Sequence, residues 1–172
     1  NVFAIESFVD ELARAAGADP VAFRLRYLDD PRARAVIEAA VEKAGPKPAA
    51  GDGAGALGRG AAFAQYKNRQ SYVAVVVDLT VHPDSGRIRL QRAVLAADSG
   101  QIVNPDGLSN QLEGGFLQAA SWTLKEAVTF DDPGVTSTDW RTYPILRFPE
   151  APVVETVLLD RPGYPFLGVG EG

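Results

Sequence analysis

Apolar residues in the first part of the chain recur with the period of an α-helix. Ile5, Phe8, Val9 and Leu12 fall at i, i+3, i+4 and i+7, one face of an amphipathic helix. Gly17 supplies a C-terminal stop. Asp19-Pro20 then joins an N-cap acid to a proline at the first helical position, and Val21, Leu25 and Leu28 form the buried stripe of a second helix. Asp30-Pro31 repeats the start signal. Val36, Ile37, Ala40 and Val41 follow as a third stripe, stopped by Gly45. The spacing predicts three short helices over residues 1–45. The Pro/Gly/Ala-rich stretch that follows has no face to bury, so residues 46–57 read as a flexible linker.

From Gly58 the period changes to two. Val73, Val75, Val77, Leu79 and Val81 share one face of a strand, with Tyr72, Ala74 and Val76 on the other. A strand apolar on both faces is a central one. Pro83-Asp84-Ser85-Gly86 is a turn, and Ile88, Leu90 and Val94 mark its partner strand over Arg87–Ala97. A shorter strand is expected around Arg59–Gln65. Asn104-Pro105 starts a helix that runs to about Leu124, with Leu108, Leu112, Phe116 and Ala120 as its ridge. Two later strands are expected, near Ala127–Phe130 and Val153–Leu159. The pattern predicts an α+β fold: N-terminal short helices, then a mixed or antiparallel sheet packed against a long helix over residues 58–172.

Composition narrows the chemistry. The chain has 172 residues, 46% hydrophobic and 23% charged, as in ordinary globular proteins. Its net charge is −5 and no basic cluster stands out, which argues against a nucleic-acid partner. No apolar run approaches the length of a membrane span. There is no cysteine, so this chain holds no thiolate metal site and no iron–sulfur cluster. The only histidine, His82, precedes Pro83 and reads as a solvated turn residue. Chemistry here must come from carboxylates or from a cofactor. The absence of any methionine fits a piece of a longer protein.

Two places invite a functional reading. Gly168-Val169-Gly170-Glu171-Gly172 frames an acid with glycines after an apolar run, the setting in which a carboxylate becomes a general base. The competing reading is a frayed tail. In the Asn104 helix, Gln111, Gly115 and Gln118 lie at i, i+4 and i+7, with Gly114 adjacent. Two interior glycines cost about 1 kcal/mol each relative to alanine. Either the helix packs closely on the sheet, or a bulky ligand lies on bare backbone with the Gln111 amide at its edge.

Four motifs in order carry a family resemblance: Asp98-Ser99-Gly100-Gln101-Ile102-Val103-Asn104-Pro105, Gln111-Leu112-Glu113-Gly114-Gly115-Phe116, Tyr143-Pro144-Ile145-Leu146-Arg147 and Gly168-Val169-Gly170-Glu171. They resemble the C-terminal part of the molybdenum-binding large subunit of the xanthine dehydrogenase/aldehyde oxidase family, in the bacterial branch typified by isoquinoline 1-oxidoreductase and nicotinate dehydrogenase. The opening Asn1–Leu12 and the Asp-Pro-Val-Ala-Phe-Arg-Leu-Arg run at 19–26 resemble that branch too. The fold implied is that of a second molybdopterin-binding domain.

The resemblance implies roles. Glu171 matches the glutamate that acts as general base on a molybdenum-bound hydroxyl. Gln111 matches the glutamine that hydrogen-bonds the pterin. Gly114 and Gly115 match small residues on the same helix, and Gly170 joins them in lining the cofactor. No residue here is expected to ligate the metal. Asp98 to Pro105 match a structural loop with no catalytic role. The reaction implied is hydroxylation of an aldehyde or an N-heteroaromatic carbon, with water as oxygen source.

The cofactor implied is molybdopterin, in its cytosine dinucleotide form. The partners are the remainder of the large subunit, a small [2Fe–2S] subunit and a small-molecule substrate. The family's first pterin domain is not in these residues, so the chain alone is expected to be cofactor-free and inactive, truncated after Glu171. The compartment implied is cytoplasmic, with periplasmic as the alternative. Two other readings stay open: a non-catalytic docking module on the same scaffold, and a hydrolase pairing Glu171 with Asp98 or Glu113.

Overall fold

In the computed structural model, residues 1–48 and 55–170 are described. Three helices open the chain: α1 (Val2–Ala15), α2 (Pro20–Tyr27) and α3 (Pro31–Ala44). The cap-plus-proline signals act as anticipated. The Asp19 carboxylate accepts from the Val21 and Ala22 N–H groups at 3.0 and 2.9 Å, and that of Asp30 from the Arg32 N–H at 2.8 Å. Gly45 closes α3 with φ +66°, and its N–H returns to the Val41 carbonyl. Half of the 46–57 stretch (49–54) lies outside the described residues.

Strand β1 (Ala56–Gln65) starts three residues earlier than the pattern indicated. It is followed by β2 (Tyr72–His82), β3 (Arg87–Asp98), helix α4 (Pro105–Leu124), a short hairpin of β4 (Phe130–Asp131) and β5 (Gly134–Val135), and β6 (Val153–Leu158). The main sheet has the order β1-β2-β3-β6. The first three strands are antiparallel neighbours, and β6 runs parallel to β3, with Val94 opposite Glu155. A parallel neighbour needs a crossover, which α4 and the segment after it provide. The fold is therefore α+β with a mixed sheet.

Both faces of the two central strands are covered, which explains their continuous apolar run. On one face Tyr72, Ala74, Val76, Val94 and Ala96 pack with Val36, Ile37 and Ala40 of α3. On the other, Ala93, Leu95 and Ala97 pack with Leu108 and Leu112 of α4, and Val73, Val75 and Val77 lie against them. The alternation along β2 sorts its side chains between the two helices.

Two sequence expectations need correction. The Ile5/Phe8/Leu12 face of α1 is not buried: these residues are 59%, 57% and 42% exposed. The inward face carries Glu6, Asp10 and Ala13, and of the apolar stripe only Val9 is half-buried beside them. The cause is Arg24 of α2, only 7% exposed, whose guanidinium donates to Glu6 Oε2 at 2.9 Å and to Asp10 Oδ1 at 2.6 Å. Glu6 Oε2 also accepts the Phe63 N–H of β1 at 2.8 Å. Three polar anchors turn the helix against its own apolar stripe. The strand expected near Ala127–Phe130 is instead the β4–β5 hairpin, which turns at Asp132-Pro133 and pairs only with itself.

Candidate functional site

The C-terminal end of β3 is where distant segments meet. Asp98, the last residue of the strand, has no solvent exposure. A buried carboxylate needs partners, and it has several. Arg32 at the start of α3 donates through Nε to Oδ2 at 2.9 Å and through Nη2 to Oδ1. Arg161, beyond β6, donates through Nε to Oδ2 at 2.9 Å, and the Gly100 N–H reaches Oδ1 at 3.0 Å. Burial works against the charge. The bonds from Arg32, Gly100 and Arg161 outweigh it and hold the Asp98 pKa below its ordinary value. An acid locked in this way is not free to shuttle protons, so the hydrolase reading loses Asp98.

The segment after β6 is fastened to this point by its backbone. The Leu159 N–H donates to the Ala97 carbonyl, the Arg161 N–H to that of Gly100, and the Leu167 N–H to that of Ser99. Asp160 accepts the Ile102 N–H at 2.9 Å. Gly100 has φ +79°, and a Cβ built there would sit 1.9 Å from the Pro165 carbonyl oxygen. Only glycine permits that approach. The segment then straddles the sheet: Leu167 packs against the α3-side core and Val169 against the α4-side core.

It ends beside α4. Gln111 Nε2 donates to the Gly170 carbonyl at 2.9 Å. Among the described residues, the side-chain oxygen of Gln111, Oε1, accepts no hydrogen bond. The two groups open onto a cavity of about 620 Å³ lined by Gln111, Gly114, Gly115, Gln118, Trp122 and Gly170. At Gly114 and at Gly170 a Cβ would meet nothing within 4 Å. Close packing on the sheet therefore does not account for the glycine at 114: its bare backbone faces open space.

The structure thus brings Gln111, Gly114, Gly115 and Gly170 to one cavity. Glu171, the residue proposed from sequence as the base, lies outside the described residues, as does Gly172. His82 closes β2 opposite Arg87, at the turn where sequence put it. Among the described residues no group of three histidine, cysteine or acidic side chains is placed to hold a metal ion. Trp122 was not singled out from sequence, although 111, 115, 118 and 122 continue one helical face. Arg32 and Arg161 were missed as well. The available signal was Asp98 itself, an acid ending the all-apolar run Ala93–Ala97.

Comparisons with known proteins match this chain over most of its length. The profile of a family described as "Molybdopterin cofactor-binding domain" matches residues 4–152. One subunit of the nicotinate dehydrogenase of Pseudomonas putida is 39% identical over 183 aligned positions, covering 99% of this chain and 15% of that protein. The beta subunit of isoquinoline 1-oxidoreductase from Brevundimonas diminuta is 33% identical, covering 92% of this chain and 20% of that protein. The chain therefore spans a fifth or less of these relatives. Among solved structures, quinoline 2-oxidoreductase from Pseudomonas putida 86 superposes with a TM-score of 0.55 at 24% identity, over 59% of this chain and 14% of that one, a likeness of fold.

Proposed function

This chain belongs to the molybdopterin cofactor-binding domain family, and on that footing we propose that it forms one wall of the cofactor cleft of a molybdenum hydroxylase. The reaction is hydroxylation of an aldehyde or an N-heteroaromatic carbon, with oxygen taken from water. The observation that carries this reading is the contact between the Gln111 amide and the Gly170 carbonyl at the edge of one cavity.

The residues fit a flat pterin. The Gln111 side-chain oxygen can accept from a heterocycle N–H. Gly114 leaves room where any Cβ would stand in the cavity. Trp122 offers an indole face for stacking. The branch resembled points to molybdopterin cytosine dinucleotide as the form bound. When bound, the cofactor supplies two-electron redox chemistry at its metal. Glu171 would act as general base, its carboxylate taking a proton from the water-derived oxygen that is transferred to the substrate. This glutamate follows Gly170 directly in the sequence. With no cysteine in this chain, electrons leave through a separate [2Fe–2S] subunit. The remainder of the large subunit closes the cleft.

One observation favours a second reading, a docking module: the exposed apolar face of α1. The same experiment separates them. In the assembled, cofactor-loaded enzyme, Glu171→Gln is expected to keep the molybdenum content and to lower turnover by about 10²-fold or more. Gln111→Leu is expected to lower the molybdenum content. Full turnover in Glu171→Gln would leave docking as the better account. The 172-residue chain purified alone should carry far less than one molybdenum per chain, because half a cleft gives little affinity; metal analysis checks this.

A further inference from the structure

Arg32, Asp98 and Arg161 come from three separate parts of the chain: the first turn of α3, the end of β3 and the loop after β6. Neutralising one buried acid takes one arginine. Here a second arginine is added, and it belongs to the segment that ends at the cavity.

That segment meets the cluster through Arg161 and Tyr164 and the neighbouring 99–101 loop through its backbone. The Arg161 guanidinium and N–H bond Asp98 and the Gly100 carbonyl. The Gly163 N–H donates to Gln101 Oε1 at 3.2 Å. The Arg32 guanidinium lies over two rings, 4.9 Å from the centroid of Tyr72 and 5.4 Å from that of Tyr164. Tyr164 belongs to the same segment, so Arg32 grips it by its ring while binding Asp98 by its edge. Leu167 and Val169 then set the path past the sheet to Gly170.

We propose that Arg32, Asp98 and Arg161 form a positioning cluster that holds residues 159–170 across the end of the sheet and so sets the Gly170 carbonyl against Gln111. None of the three touches the cavity; they act through the segment they hold. The anchoring stands on the contacts themselves, whereas its effect on turnover rests on Glu171 being the base.

Amide hydrogen exchange on the full chain tests the anchoring without any cofactor. Arg161→Gln should speed exchange across residues 163–170 at least tenfold and leave the β2 and β3 core amides unchanged. Arg161→Lys should recover part of the protection. A cluster that only stabilises the fold would loosen the sheet and the segment together, and exchange at 163–170 rising no more than in β2 and β3 overturns the proposal. If Arg161→Gln does not fold, Tyr164→Leu, at a half-exposed ring, is read in the same way. In the cofactor-loaded enzyme, Arg161→Gln should lower kcat per bound molybdenum, and an unchanged kcat in an enzyme where Glu171→Gln does lower turnover overturns the positioning role. Full turnover in Glu171→Gln would sink the base reading instead, and the exchange result would still decide the anchoring.

Discussion

A glycine inside a helix weakens it by about 1 kcal/mol relative to alanine, and Gly114 has no neighbour that requires it. Gly114→Ala should therefore stabilise the isolated chain by roughly 0.5–1 kcal/mol in denaturant unfolding. In the assembled enzyme the same methyl would project into the cavity and lower cofactor content. A gain in stability together with a loss of molybdenum is the expected pair of results. Asp98 makes a different prediction. Its folded pKa lies below the ordinary value, so the unfolded chain binds the proton more readily. The stability it contributes is complete above the ordinary carboxylate range and is lost as pH falls through the depressed folded value. Unfolding curves at falling pH should show this acid-side loss in the native chain. Asp98→Asn should be less stable near neutrality and lack that share of the slope.

Helix α1 shows what an element's own pattern leaves undecided. Its apolar stripe has the spacing of a buried face, yet Glu6, Asp10 and Ala13 turn inward because Arg24 and the Phe63 N–H bind the two acids. Phe8→Ser should change stability by no more than about 0.5 kcal/mol and leave the melting temperature nearly unchanged. Arg24→Leu should cost more, about 1–3 kcal/mol, since it removes the charged partner of the inward Glu6 while Asp10 can turn to solvent. Thermal melts of the pair distinguish the two helix orientations. The β4–β5 hairpin makes a similar point: Phe130 and Asp131 pair with Val135 and Gly134 across the turn at Asp132-Pro133 and not with the main sheet.

Across the whole molecule, a mixed sheet lies between α3 and α4, and the cavity opens where α4 meets the end of the chain's last described segment. Helix starts, the central strands and the turn at Gly86 were legible because caps, proline, glycine and side-chain alternation act within a few residues. Gln111, Gly114 and the Gly-Val-Gly-Glu motif could be picked out as residue types, and their resemblance to a molybdenum-enzyme domain came from order and spacing. What the linear chain did not contain was which groups would meet. Asp98 finds its arginines 66 and 63 residues away, and Gln111 finds the Gly170 carbonyl 59 residues on. Such contacts depend on parallel docking of β6 beside β3 and on the helix that crosses between them. Local sterics can choose a helix or a strand; only the packed tertiary arrangement selects the partner of a buried charge and leaves a helix glycine facing empty space.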